Sequence, residues 1–374
     1  MTDIKSTERT IPVIEKAPPD PAGPDETEHT LEVGRMAAGL NAVRTSPASR
    51  IAIVLIILVA YFAIAKPAEF GSIGNIRNIV TNSASLIILG AGMTFVLASG
   101  GIDLSVGSVV VFSGVVAAKV MSSTGGGIGS MLLGFVVSVL AGAAWGMVNG
   151  LACAKLRVPA LIVTLGTLGM ALGAAQILTN GIDAPAPIRL SSGLGIGRLF
   201  GVIPWLDVIA VAVAVVLAVV LKTTVFGRHC LAIGSNAASA RRSAVLVDRR
   251  TIQVYVLMGS LSGVAGYLSL ARFGATTIAG HSTDNLNAIA ATVLGGTSLF
   301  GGVATIVGTV IGVFIPVVLQ DGFVIVGVRP FWQEVVVGAV LIAAVYFDQL
   351  RRESASRGKR ARNAMWTKLL GSPT

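Results

Sequence analysis

Long apolar stretches separated by short polar segments run along most of the chain. A helix that crosses a membrane needs about 20 mostly apolar residues, and ten stretches approach that length. They are residues 50–65, 78–98, 104–121, 129–153, 158–178, 206–222, 251–271, 287–300, 303–320 and 331–347. The first and eighth are short, and paired glycines interrupt the eighth. The pattern predicts an all-α, polytopic transmembrane helical bundle of about ten spans, with eight spans as the main alternative.

The composition agrees with a membrane protein and excludes most other classes. Hydrophobic residues make up 53% of the 374 residues and charged residues 12%, about half the charged share of a soluble domain. The mean hydropathy is +0.81, which excludes a disordered chain. Two cysteines exclude a disulfide scaffold, and three histidines argue against a histidine-based metal cluster.

The net charge of +10 is unevenly distributed and predicts an orientation. Lys and Arg collect before residue 50, in residues 222–250 and after residue 347, and short cytoplasmic loops carry such an excess. Both termini are therefore expected in the cytoplasm, which requires an even number of spans. We divide the chain into a disordered cytoplasmic leader, a membrane domain and a basic cytoplasmic tail, at residues 1–49, 50–347 and 348–374.

Two glycine-rich breaks interrupt the apolar pattern. Residues 98–108 read ASGGIDLSVGS and residues 294–302 read LGGTSLFGG. Each combines paired glycines with hydroxyl groups and precedes a helix rich in valine, so a parallel internal repeat would explain both. Irregular backbone at membrane depth is tolerated where protein or water satisfies it, so the breaks are candidates for lining a pathway.

Other glycines fall at helical spacing within predicted spans, where small residues allow helices to approach closely. We expect these glycines to pack between helices: Gly90, Gly92, Gly142, Gly146, Gly166, Gly169, Gly173, Gly259, Gly263 and Gly266.

Asp103 is the only acidic residue between Glu69 and Asp183. An acid at the bilayer centre costs about 2.5–3.5 kcal/mol on insertion scales, which makes it a functional candidate. The alternative is an N-cap of the third span, where the carboxylate would accept free N–H groups at the helix start. The two roles are compatible.

Motifs of enzymatic chemistry are absent from the sequence. It contains no G-x-x-x-x-G-K-[ST] loop, no H-E-x-x-H and no G-x-S-x-G, so we expect no enzyme and no P-loop ATP hydrolysis. Acids that could relay protons within the membrane are few, namely Asp103 and Glu334. An energy source in another subunit is therefore expected.

The longest predicted cytoplasmic loop, residues 222–250, contains a short helical pattern. Asn236 suits an N-cap, and the alanine-rich residues that follow have good helix propensity. Ala237, Ala240 and Ala244 fall near helical spacing. Such a helix fits either a groove on a partner protein or a membrane surface, with Arg241 and Arg242 on anionic lipid.

Four segments resemble the ribose-type, monosaccharide ABC importer permeases of the branched-chain amino acid/ribose permease superfamily. They are residues 101–108 (GIDLSVGS), 232–241, 288–302 (AIAATVLGGTSLFGG) and 330–348. The resemblance covers about residues 50–350. The chain departs from it at Asn285 and Asn287, where acids are common, at Gly234-Ser235, where two glycines are common, and at Arg242, where an apolar residue is common.

The resemblance implies a type II ABC importer fold in the bacterial inner membrane. It implies a permease subunit that moves ribose or a related pentose or hexose and binds no cofactor itself. Its implied partners are an ABC ATPase subunit that binds ATP, an extracytoplasmic sugar-binding protein, a second permease copy or homologue, and membrane lipid, with no nucleic acid. The alternatives are an ion-gradient-driven carrier and an ABC permease for a nucleoside or another small polar solute.

The same resemblance suggests roles for three groups of residues. Polar candidates for the substrate pathway are Asn82, Ser83, Ser85, Ser99, Asp103, Ser105, Thr164, Thr167, Thr297 and Ser298. Coupling to the ATPase is expected within residues 223–250, at Gly234, Ser235, Asn236, Ala240, Arg241 and Arg242. Docking of the binding protein is expected at the outer arginines, Arg77, Arg189, Arg198, Arg272 and Arg329.

Overall fold

A computed structural model describes most of the predicted membrane domain as helices. The described residues are 47–329 and most of 331–349. Within the second range, residues 333, 340, 341, 344, 347 and 348 are not described. The predicted leader lies outside them apart from residues 47–49, which begin the first helix. The predicted tail lies outside them apart from residue 349.

Eight described helices are long and apolar enough to cross a membrane. They are α1 (Pro47–Ala65), α3 (Ile73–Ala98), α4 (Val106–Ser123), α5 (Ile128–Ala154), α6 (Ala160–Thr179), α8 (Trp205–Thr223), α11 (Val247–Phe273) and α13 (Ile306–Ile325). Each corresponds to one predicted span, and together they confirm a polytopic helical fold.

Shorter elements lie between these helices. They are α2 (Pro67–Phe70), α7 (Ile188–Leu190), a π-helical turn (Ser191–Gly195), strands β1 (Arg198–Leu199) and β2 (Ile203–Pro204), α9 (Val225–Ser235), α10 (Ala237–Arg242) and α12 (Asp284–Leu294). The two strands pair antiparallel, with Leu199 opposite Ile203.

The eighth predicted span, residues 287–300, is not a continuous helix. Helix α12 has 11 residues and ends before Gly295. The chain then turns at Gly296, whose φ is +93°, a backbone conformation that glycine adopts without steric cost. The tenth predicted span lies in the partly described residues 331–349, where the described residues are helical. The total number of spans stays a prediction.

Helices α3 and α11 form the centre of the bundle. Within their most apolar windows 83% and 78% of the residues are buried, against 11% in α1. Helix α11 makes its most extensive contact with α5. Gly142 and Gly146 of α5 lie against the backbone of α11 at Gly259 and Tyr255, so the two helix backbones touch, as small residues permit.

Not every predicted packing glycine packs within the chain. A Cβ atom placed on Gly166, Gly169 or Gly173 of α6 would meet no atom within 4 Å. The prediction that these three pack between helices is therefore wrong for the described chain, because that face of α6 has no neighbouring helix within reach.

Two ends of the bundle can be distinguished. Ala98 at the end of α3 contacts Gly234 near the end of α9, and we call this the α9 end. The first turns of α3 meet the last turns of α11 and α13, through Arg272 with Asn82 and Asp321 with Asn75. Because α3 has 26 residues at 1.5 Å each, this opposite end lies about 35–40 Å away.

A segment between α11 and α12 bends back into the bundle from the opposite end. Residue Thr276 is held to Ala184 by two hydrogen bonds, one of 2.9 Å between backbones and one of 2.8 Å from the Ala184 N–H to the Thr276 hydroxyl. Farther along, the carbonyl of His281 lies against Gly107 in the first turn of α4. Helix α12 therefore begins inside the bundle.

Candidate functional sites

One residue of helix α9, Gly234, contacts both glycine-rich breaks. A Cβ atom there would collide with the carbonyl oxygen of Ala98, and would lie 2.6 Å from the Gly302 nitrogen and 2.9 Å from the Gly301 Cα. The breaks also bond to each other, since the Gly302 N–H donates to the Ala98 carbonyl at 3.0 Å. Two segments 200 residues apart thus meet at the helix that the sequence assigns to coupling.

The backbone conformation explains why glycines occupy the breaks. Gly100, Gly301 and Gly302 have φ values of +78°, +84° and +81°, which other residues adopt only with strain. The structure therefore brings the glycine-rich breaks together with Gly234 and forms one backbone-to-backbone contact, which we call the glycine junction (residues 98–101, Gly234, Gly301 and Gly302).

Helix α9 rests on the bundle through an apolar face. Thr224 caps its start, with the hydroxyl accepting from the Gly227 N–H at 3.2 Å. Phe226 stacks on Phe95 with 5.6 Å between ring centroids, and Cys230 and Ile233 are buried. The helix is therefore attached along its length.

Helix α10 follows at a bend, and its start confirms the predicted cap. The Asn236 side chain accepts from the Ser239 N–H at 2.9 Å. Ala240 is buried in a small cluster with Ile233 and Val247. Arg241 pairs with Asp248 at 2.7 Å, an exposed ion pair of small energetic value.

The remaining predicted coupling residues lie on or beside these helices. Ser235 ends α9 beside Gly302. Arg242 is exposed, and its guanidinium donates to the Ser239 hydroxyl at 2.9 Å. The predicted coupling residues thus lie in one continuous segment at the α9 end, where Gly234 and Ala240 face inward and the other four are exposed.

The thiol of Cys230 gives a direct test of whether α9 is docked. Burial raises the pKa of this thiol to about 12, and the thiolate is the reactive form. At pH 7.5 the thiolate fraction is on the order of 10⁻⁴ or less, and it rises tenfold per pH unit. We expect Cys230 in a Cys153→Ser variant to resist maleimide at pH 7.5 and to react after denaturation in SDS, measured by mass spectrometry. Rapid labelling of the folded chain would show that α9 is not held as described.

A buried polar network joins the first glycine-rich break to α5 and α6. Asp103, 2% exposed, accepts from the Ser105 N–H at 2.9 Å and the Ser105 hydroxyl at 2.6 Å. Asn149 donates to that hydroxyl at 2.9 Å and accepts from Thr167 at 2.7 Å. Satisfied networks of this kind fix the relative positions of the elements that they join.

The network also changes the interpretation of Asp103. Helix α4 begins at Val106, and Ser105 occupies the cap position, so the prediction of Asp103 as the N-cap itself is wrong by two residues. Its carboxylate instead closes a turn just before the helix. Asn149 was not among the predicted site residues, although an amide between Gly146 and Gly150 in an apolar span was a visible signal.

A cavity of about 430 Å³ lies at the opposite end of the bundle. It is bounded by the start of α3, the end of α11, the segment from Gly280 to Asn287 and the end of α13. Its volume lies within the range of about 300–1,000 Å³ typical of small-molecule sites. The polar residues that line it are Thr81, Asn82, Ser85, Arg272, His281, Asp284, Asn287, Gln320 and Asp321.

Hydrogen bonds hold the charged groups of this cavity in place. Arg272 donates to Asn82 at 3.1 Å, and Asn75 donates to Asp321 at 2.8 Å. His281 lies 2.6 Å from Asp284 and 2.8 Å from the Ser269 hydroxyl, one through each ring nitrogen. The lining therefore presents acids, a guanidinium and amides that suit a polar solute with several hydroxyl groups.

The cavity includes only two of the ten predicted pathway residues, Asn82 and Ser85. Asp103, Ser105 and Thr167 belong to the buried network. Each of the other five has a local backbone partner: Ser83 with Ile79, Ser99 with Val96, Thr164 with Ala160, Thr297 with Thr305 and Ser298 with Phe300. Whether any of them contacts a substrate stays a prediction.

The predicted docking arginines divide into three places. Arg77, Arg198 and Arg272 line one small cavity of about 130 Å³ beside the larger one. Arg189 lies in a shallow, mostly apolar groove with Trp205 and Tyr267, and Arg329 is exposed beyond α13. Asp207 at the start of α8 accepts a hydrogen bond from the hydroxyl of Thr81, a residue that lines the same small cavity, at 3.4 Å.

Comparison with known proteins gives matches over most of the chain. The family model described as "branched-chain amino acid transport system / permease component" matches residues 75–345. An L-arabinose ABC transporter permease of Azospirillum brasilense is 37% identical over 81% of this chain and 88% of the relative. The ribose import permease of Escherichia coli is 37% identical over 80% of this chain and 93% of the relative.

A third relative carries a different sugar in its name. The galactose/methyl galactoside import permease of Escherichia coli is 34% identical over 80% of this chain and 93% of the relative. No solved structure matches.

Proposed function

Because the chain belongs to the permease-component family of branched-chain amino acid and sugar ABC transporters, we propose that it is the membrane-spanning subunit of a monosaccharide importer. One observation carries the proposal. Relatives that are 34–37% identical over about four fifths of this chain are named as permeases for L-arabinose, ribose and galactose. All three are small neutral sugars with several hydroxyl groups, and the amides and acids that line the cavity suit such a solute.

We assign ATP binding and hydrolysis to a separate ATPase subunit that docks on α9 and α10. Closure of the ATPases would push on α9, and Gly234 would pass the displacement to both glycine-rich breaks at once. Each break joins two helices, α3 and α4 at the first and α12 and α13 at the second. A movement of α9 would therefore rock four elements that bound or approach the cavity, a rigid-body transition between two packed states.

We place the α9 end in the cytoplasm and the cavity end outside. The basic residues around α9 and α10 support this orientation. A sugar-binding protein would then dock over the cavity, and a second permease copy or homologue would complete the membrane assembly in lipid.

The proposal is tested by ATP hydrolysis of the assembled complex. The chain is reconstituted in lipid nanodiscs with its ATPase subunit and binding protein, and hydrolysis is measured with L-arabinose, D-ribose or D-galactose present. Stimulation by the binding protein with one of these sugars is expected. Stimulation only by a nucleoside would assign a different substrate, and no response to any loaded binding protein would contradict the proposal.

The cavity of about 130 Å³ that Arg77, Arg198 and Arg272 line predicts where the binding protein docks. Charge reversal of Arg77 and Arg198 to Glu is expected to weaken binding-protein-dependent stimulation about tenfold, because acids on the partner would be repelled. Arg189→Glu, in a separate groove, tests the second predicted docking position, and a smaller loss there places the binding protein over the Arg77 and Arg198 cavity. The concentration of binding protein that gives half-maximal stimulation of ATP hydrolysis is measured at several salt concentrations. Unchanged stimulation in a normally assembled complex would contradict this docking position.

A further inference from the structure

Asn287, a residue that lines the cavity, holds a buried acceptor without a partner among the described residues. Its side chain is 4% exposed, and its Oδ1 atom has no hydrogen-bond partner among the described residues. Burial of an amide oxygen without a partner costs free energy, because its hydrogen bond to water is lost. An occupant that donates a hydrogen bond to this oxygen would recover that free energy.

The position of Asn287 adds a second observation. It lies in the first turn of α12 and lines both the cavity of about 430 Å³ and a neighbouring cavity of about 480 Å³. The second cavity also includes Thr283, Leu286 and Glu334. Asn287 therefore lies between the two cavities, where a solute that passes from one to the other would contact it.

The neighbouring amide on the same helix has a different role. Asn285 donates to the Leu104 carbonyl at 3.1 Å, and its Oδ1 accepts from the Leu286 N–H at 2.9 Å. Both of its polar atoms are used within the chain, so Asn285 anchors α12 to the first glycine-rich break. Only Asn287 keeps an acceptor for something else.

The surrounding charges indicate the kind of donor. Asp284 is one helical turn from Asn287 on the same face of α12, and Asp321 lies across the cavity on α13. A neutral amide in a cavity that also contains two carboxylates suits a neutral hydroxyl donor better than an anion, and the Arg272 guanidinium in the same lining can donate to hydroxyl oxygens.

We propose that Asn287 Oδ1 accepts a hydrogen bond from one hydroxyl group of the sugar during its passage, and that this contact contributes to substrate selectivity within the permease. The inference rests on the proposed function and extends it from the substrate class to a selectivity residue. A residue that recognises one hydroxyl rejects the analogue that lacks it, because its own polar group is then left unpaired.

The test compares sugars with their deoxy analogues in the complete reconstituted complex. Uptake of L-arabinose, D-ribose and D-galactose, and of their monodeoxy analogues, is measured with the binding protein saturated by each. We expect the wild-type chain to favour the transported sugar over one monodeoxy analogue by about tenfold. Asn287→Leu should reduce that one ratio to about one.

Two further variants keep the result interpretable. Asn287→Asp retains an acceptor at the same place and should keep the preference. Ser113→Ala removes another unpaired buried oxygen that lines neither cavity, and should change no ratio. Equal loss of preference in the Leu and Asp variants, or unchanged ratios in Asn287→Leu, would overturn the role of Asn287. A wild-type complex without ATP-dependent uptake of any of these sugars would overturn the proposed function as well.

Discussion

Replacing Gly234 with alanine is expected to disconnect α9 from the transport helices. The added methyl group would collide with the Ala98 carbonyl and lie 2.6 Å from the Gly302 nitrogen, and backbone atoms cannot rotate away. Overpacking of this kind costs about 1–3 kcal/mol, which shifts the docking equilibrium of α9 by about 5- to 150-fold. Sugar uptake per ATP hydrolysed should fall by a similar factor, measured as the ratio of the two rates in proteoliposomes.

A matched control separates coupling from folding. Gly166→Ala adds the same methyl group to α6, where no atom lies within 4 Å, and should leave the ratio unchanged. Cys230 should also become reactive in the Gly234 variant, because a lifted α9 exposes its inner face. A Gly234→Ala complex that transports at the wild-type ratio would contradict transmission through the glycine junction.

Replacing Gly259 with leucine is expected to destabilise the whole bundle. A Cβ atom there would collide with the Gly142 carbonyl and lie 2.8 Å from the Gly146 nitrogen, so the side chain would force α11 away from α5. We expect a loss of about 3 kcal/mol or more, which corresponds to roughly 4 °C or more in Tm for a chain of 374 residues. Thermal unfolding in detergent, followed by tryptophan fluorescence, is the measurement.

The same substitution at Gly169 of α6 is the comparison for this effect. Its Cβ position is open, so Gly169→Leu in the isolated chain should change Tm by no more than about 2 °C. Equal losses at Gly259 and Gly169 would show that leucine at any membrane glycine is destabilising, and that the α5–α11 contact is not special.

Local patterns predicted the long helices well, because a run of about 20 mostly apolar residues is easily recognised in a sequence. The form of the eighth span was not predictable in this way, because the apolar pattern continues across Gly295 and Gly296, where the backbone turns. The ninth span was predicted to end at residue 320, whereas α13 continues to Ile325 and carries Asp321 in its last turns, bonded to Asn75.

The functional sites were predictable only in part, because they form from residues far apart in sequence. The coupling segment and both glycine-rich breaks were visible as motifs, but their meeting at Gly234 depends on the fold. Hydroxyl groups were weak signals for a pathway, since residues such as Ser83 and Thr164 bond to their own helix. Among the residues that line the cavity, Asn82 and Ser85 were predicted and Asn287 was noted as a departure from the family pattern, but Asp284 and Asp321 lie at span ends and carried no signal of their own.

Uptake of a labelled sugar into liposomes tests the central claim most directly. The chain is reconstituted with its ATPase subunit, the binding protein is added outside, and ATP is enclosed inside. We predict uptake of L-arabinose, D-ribose or D-galactose that requires ATP, the ATPase and the binding protein together. Uptake by this chain alone on a proton or sodium gradient, without ATP, would contradict the account.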